Sequence, residues 1–104
     1  MDDQGIVVDF INSIHGKIKN QGRTVTLDGV FYKQPFEGIA KLSGSPYQLI
    51  FNVNDDQRAL VAIVPDDQDI FQDQKYSVVG ELAAVGREGL FAGIVVKSLE
   101  EIGN

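Results

Sequence analysis

The hydrophobic positions of this chain change period near residue 23, and the change separates a helix from a sheet. Between residues 3 and 20, Ile6, Val7, Phe10, Ile11, Ile14 and Ile18 recur at helical spacing and share one stripe. Asp2 and Asp3 stand at the start, and Lys17 and Lys19 near the end, where each sign suits the helix dipole. Asn20-Gln21-Gly22 supplies a stop, and Gly16 weakens the last turn. A stripe this wide and aliphatic predicts a helix packed against a sheet or plugging the end of a barrel. A homodimer contact through the same stripe is the alternative.

From Arg23 the period is two. Val25, Leu27, Gly29 and Phe31 share one face, and Thr24, Thr26 and Asp28 the other, which predicts a strand over residues 23–32. Lys33-Gln34-Pro35 breaks it. Residues 36–42 form a less regular apolar run, expected as a second strand, ending at Gly44-Ser45-Pro46. Tyr47, Leu49, Phe51 and Val53 alternate with Gln48, Asn52 and Asn54, so residues 47–53 predict another strand. A polar hairpin loop over 54–58 leads to 59–64, an almost wholly apolar run expected to be covered on both faces. Pro65 ends that run. Residues 66–74 predict either one helical turn around Ile70 and Phe71 or a loop. Residues 75–85 and 90–99 then form a closing hairpin about Gly86-Arg87-Glu88-Gly89, with Gly80 and Gly93 where strands must bend.

This order predicts a mainly β chain with an N-terminal α-helix. A continuous antiparallel sheet of five to six strands curls into a small closed or partly open β-barrel, because closure removes its edges. A length of 104 residues suits a single domain over 1–104, with a helix at 3–20 and a barrel at 23–102. Hydrophobic residues make up 43% of the chain, enough for a real core.

Charge narrows the choice of partner. The net charge is −6, and residues 66–74 alone carry four acids and no base. The acidity therefore concentrates in one connector, while the strands are close to neutral. A protein that coats polyanions without selectivity is normally basic. The chain has no Cys, which excludes disulfides, zinc–thiolate centres and thiol nucleophiles. The acidic N-terminus and the lack of a membrane-length apolar run predict a cytoplasmic protein with no membrane partner.

Catalytic constellations are nearly absent. His15 is the only histidine, so a histidine metal triad or nucleophile relay lacks its partners. The turn at 86–89 lacks the Walker lysine and the following helix of a phosphate loop. Asp66, Asp67, Asp69 and Asp73 fit no EF-hand spacing and lack its central glycine, so a solvated loop is the better reading than a calcium site. The chain is therefore expected not to be an enzyme, and to hold no cofactor and no metal.

The stretch from about residue 36 to 102 resembles the oligonucleotide/oligosaccharide-binding (OB) fold family. The resemblance is carried by Phe36-Glu37-Gly38-Ile39-Ala40, the paired runs 47–53 and 59–64, the connector 66–74, and Lys75-Tyr76-Ser77-Val78-Val79-Gly80-Glu81-Leu82. It covers about two-thirds of the chain and is a hydrophobic pattern with glycines. Two features depart from the family: the connector before residue 75 is short and acidic, and residues 23–32 supply an extra strand or the first half of a long, bent one.

The resemblance implies ligand binding at loops. Single-strand binding combines aromatic stacking platforms with cations that follow the backbone. Tyr32, Lys33, Phe36, Lys41, Tyr47, Arg58, Arg87 and Phe91 supply both, and Lys33, Arg58 and Arg87 lie on or beside loops. Phe36, Tyr47 and Phe91 also suit the core, because they stand on apolar runs. The two expected functions are single-stranded nucleic-acid binding and, alternatively, a protein-interaction or structural role.

Overall fold

The computed structural model describes residues 2–103; Met1 and Asn104, the outermost positions of the expected 1–104 domain, lie outside the described residues. The elements run α1 (Asp3–Ser13), β1 (Thr24–Lys33), α2 (Glu37–Ser43), β2 (Tyr47–Val53), β3 (Asp56–Ile63), β4 (Lys75–Val85) and β5 (Phe91–Glu101). The strands close into a barrel in the order β1-β2-β3-β5-β4. Four pairings are antiparallel, as expected, and the β3–β5 pairing is parallel. The barrel is therefore mixed.

Alternation decides which side chains enter. In β1, Val25, Leu27, Gly29 and Phe31 face inward, while Thr24, Thr26 and Asp28 are exposed. Leu49, Phe51 and Val53 of β2, Leu60 and Ala62 of β3, Tyr76, Val78 and Leu82 of β4, and Ile94 and Val96 of β5 complete the strands' share of the interior. Phe31 and Tyr76 meet edge to face with ring centroids 5.5 Å apart, a favoured aromatic geometry. Tyr76 also accepts a hydrogen bond from the Phe71 amide at 3.0 Å, which ties the 64–74 connector to the core. Gly80 sits at a register shift between β4 and β5. A Cβ placed there would lie 2.6 Å from the Val95 carbonyl oxygen, so the bend requires a residue without one.

Helix α1 plugs one end. Asp2 caps it, accepting a hydrogen bond from the Gly5 amide at 2.8 Å. Ile6, Val7 and Phe10 are buried in the barrel core, so this part of the apolar stripe is occupied within the chain. The helix ends at Ser13, seven residues short of the expected stop at 20. The Ser13 hydroxyl donates to the Phe10 carbonyl and accepts from the Lys19 amide, which folds residues 14–19 back over the helix end. The Asn20 side chain then donates to the Ile6 carbonyl. Lys17 and Lys19 thus lie beyond the helix and not in its last turn.

The run 36–42 is the main correction. It is not a strand: α2 occupies Glu37–Ser43. Pro35 precedes it, Glu37 and Lys41 pair across one turn at 3.4 Å, and Gly44 closes it with a positive φ of 86°. Residues 24–33 are accordingly the whole first strand and not half of a longer one. The other boundaries shift less. β3 begins at Asp56, so the β2–β3 turn is only Asn54-Asp55, both with positive φ. The connector 64–74 contains no helix; it is a loop with turns at 66–67 and 72–73. No helix among the described residues is long and apolar enough to cross a membrane.

Burial of Phe10 makes α1 structural. Phe10→Ala should destabilise the fold by about 3–5 kcal/mol, through lost transfer energy and the cavity left behind. Equilibrium denaturation measures this; a change near zero would mean that α1 is not docked on the barrel.

Candidate interaction surface at the barrel seam

The parallel β3–β5 seam determines which loops meet. Val61, Ala62 and Ile63 near the end of β3 pair with Gly93, Ile94 and Val95 near the start of β5. The β4–β5 turn therefore lies alongside the C-terminal half of β3. The β1–β2 connector reaches the same place, because the Ser45 hydroxyl donates to the Ala62 carbonyl. Ser43 Oγ in turn donates to the Ser45 carbonyl at 3.0 Å, and both serines are buried.

The two connectors are in close contact. Gly86 has a φ of 79°, and a Cβ there would lie 2.6 Å from both the Leu42 carbonyl oxygen and Phe91 Cδ2. Only glycine satisfies both the backbone angle and the approach. Gly86 is thus the joint at which the end of α2 rests on the β4–β5 turn. The 3₁₀ turn Arg87–Gly89 follows, and His15 Nε2 lies 2.9 Å from the Leu90 carbonyl oxygen, bracing the turn from the α1 side.

This packing leaves α2 with an inverted polarity. Its buried residue is Ser43. Phe36 is 66% exposed, Ile39 43% and Leu42 47%. Ile39 and Leu42, three apart, lie on one side of α2, and the exposed N-cap residue Phe36 extends them into an outward apolar stripe. Tyr32 and Leu90 add exposed apolar groups on β1 and on the β4–β5 turn.

The expected site residues separate into two groups. Tyr32 and Lys33 are exposed at the end of β1, Lys41 is exposed on α2, and Arg87 is exposed on the β4–β5 turn. Lys41 and Arg87 lie on the elements that meet at the seam, and Tyr32 and Lys33 end the strand that leads into α2. Tyr47 is half-buried, its ring edge-on to Phe31 at 6.4 Å, and Phe91 is half-buried against Gly86. Arg58 stands directly opposite Phe51 and alternates with Leu60 and Ala62, which puts it in the inward register of β3. Its Nε is buried without a hydrogen-bond partner. Phe36, weighed as core, is instead the most exposed large apolar side chain described. Ile39, Leu42 and Leu90 were not signalled, because an apolar residue in a short run is ordinarily assigned to the interior.

A second surface lies on the outer face of β1 and β2. It is an open groove of about 780 Å³, with Thr26, Asp28, Asn52, Gln57 and Lys75 among its polar groups. Phe51 is its one aromatic, and that ring belongs to the core. The groove therefore offers hydrogen bonds and balanced charge but no stacking platform.

The acidic connector is solvated: Asp66, Asp67, Asp69 and Asp73 are all exposed. Among the described residues, no three His, Asp or Glu side chains converge as metal ligands. Calcium at millimolar concentration should raise the melting temperature no more than matched ionic strength does. A saturable rise abolished by Asp67→Asn would reveal a specific site. Gly86→Ala should cost about 1–3 kcal/mol through its backbone angle and its contact with α2. Amide hydrogen exchange should then accelerate in α2 more than in β2; equal acceleration would mean that Gly86 is not the joint.

No protein-family model, curated protein or solved structure matches the chain.

Proposed function

We propose that the chain is a non-enzymatic, OB-like binding module that docks a protein through α2 and the β4–β5 turn. Support for the OB-like part comes from the small five-stranded barrel and its non-sequential closure through β3 and β5. In OB folds the first connector and the β4–β5 loop flank the ligand face. Here those positions are α2 and the 3₁₀ turn Arg87–Gly89. The first OB-like strand is then Thr24–Lys33, and residues 36–42 belong to the connector that follows it.

The observation that carries the docking reading is the apolar stripe Phe36, Ile39 and Leu42, turned to solvent while Ser43 is buried. Water penalises such a surface, and contiguous exposed apolar groups commonly mark interaction sites. Protein interfaces combine aromatic and aliphatic anchors at the centre with a polar rim. Phe36 and Leu42 suit the first role, and Lys33, Lys41 and Arg87 suit the second.

Single-stranded nucleic acid is the second reading. It is favoured by one observation: Tyr32 is 46% exposed and adjoins the exposed Lys33. Against it stand the net charge of −6, the half-buried rings of Tyr47 and Phe91, and the inward register of Arg58.

Two measurements separate the readings. Labelled single strands titrated at low ionic strength should show no saturable binding, although counterion release favours such binding most under those conditions. A photoreactive residue at position 39, in cells that make this chain, should give protein adducts that survive nuclease and disappear with Phe36→Ser and Leu42→Ser. Nuclease-sensitive adducts, with saturable binding weakened by Lys33→Glu and Arg87→Glu, would replace docking with nucleic-acid binding.

A further inference from the structure

The acidic connector has the opposite character to α2 and leaves the barrel beside it. Asp66, Asp67 and Asp69 precede Phe71 in the connector and Asp73 follows it; all four are exposed, and Phe71 is 59% exposed. The connector is thus an apolar side chain in an acidic rim. The α2 surface is an apolar stripe with Lys33, Lys41 and Arg87 against Glu37 and Glu88, or a balance of +1 against −4. Lys41 pairs with Glu37 on its own helix, and Lys33 and Arg87 form no ion pair with the connector. Within one chain, the two surfaces leave each other unsatisfied.

Their placement suits a two-fold contact. One groove of about 290 Å³ is lined by the segment that follows α2 and by the start of the connector. Gly44, Ser45, Pro46 and Tyr47, which follow α2, line one side; Val64, Pro65, Asp66 and Gln68, which begin the connector, line the other. A two-fold axis through this groove would lay the connector of each copy on α2 of the other. Such an isologous arrangement uses both surfaces twice and closes, so that neither apolar group remains exposed.

Resting on the docking reading above, we infer that the partner is a second copy of this chain. It forms a two-fold dimer in which Phe71 and its flanking aspartates seat on the Phe36–Ile39–Leu42 stripe between Lys33 and Arg87. The rings and aliphatic side chains supply the anchor, and the charges supply register and a dependence on salt.

Sedimentation equilibrium on the full chain tests this at about 0.05 M and about 0.5 M salt, a range over which screening of exposed charges changes strongly. The expected result is a monomer–dimer equilibrium weakened by the higher salt. Phe71→Ala should weaken it by about tenfold or more, the loss expected when a buried aromatic anchor is truncated. The charge variants Lys33→Glu/Arg87→Glu, which takes the α2 surface from +1 to −3, and Asp66→Lys/Asp67→Lys/Asp69→Lys, which takes the connector from −4 to +2, should each be monomeric. Mixed in equal amounts, they should form a heterodimer, because both contacts then again join opposite charges. All five positions are exposed, so the variants should keep the wild-type melting temperature to within a few degrees. A wild-type chain monomeric up to millimolar concentration would overturn the second copy as partner, while nuclease-resistant adducts at position 39 would keep docking to another protein. A dimer unaffected by either charge variant, or a mixture that stays monomeric, would also overturn the proposed contact.

Discussion

The structure depends on three rungs of parallel pairing between β3 and β5, Val61 with Gly93, Ala62 with Ile94 and Ile63 with Val95. Without them the chain would be an open sheet whose edge strands present unpaired backbone groups. With them the barrel closes, and its interior excludes water from a continuous apolar core. The same three rungs bring the β4–β5 turn beside β3, within reach of the β1–β2 connector. Closure and the candidate surface therefore have one cause.

That cause also explains why α2 is inverted. The helix is short, and its position is set by backbone and hydroxyl contacts: Ser45 to Ala62, Ser43 to Ser45, and Leu42 against Gly86. Small residues allow this close approach. The large residues Phe36, Ile39 and Leu42 consequently have no room on the barrel side and project outward. An isolated seven-residue helix would be marginal in water, so tertiary contacts hold α2 in shape. The exposed stripe is thus placed by the contacts of Ser43, Ser45 and Gly86.

Much of the fold was legible in the sequence because its signals are local. The alternation of Val25, Leu27 and Phe31 marked β1, and the stripe through Ile6, Val7 and Phe10 marked a helix docked on a sheet or in a barrel end, of which the structure has the second. The span 75–85 was read at its observed bounds. The failure at 36–42 was a failure of period: a run of seven residues with apolar groups at 36, 39, 40 and 42 fits no single template. Pro35, the Glu37–Lys41 spacing and Gly44 were the helix signals present, and each is a boundary or surface cue that hydrophobic period does not register. Arg58 belongs to β3 and not to the expected 54–58 loop, and its phase with Leu60 and Ala62 was the signal for that. The β3–β5 seam was not legible, because pairing between residues about thirty positions apart leaves no local trace. The surface was missed for the same reason, as its members come together only through that seam.

The outward stripe on α2 is open to direct measurement. A soluble paramagnetic agent, added to dilute monomeric protein, relaxes methyl protons according to their exposure. The methyls of Ile39 and Leu42 should relax strongly, and those of Leu60, Leu82 and Ile94 weakly. If Ile39 and Leu42 were shielded as well as Leu60 in the dilute monomer, α2 would be packed apolar side inward, and the surface described here would not exist.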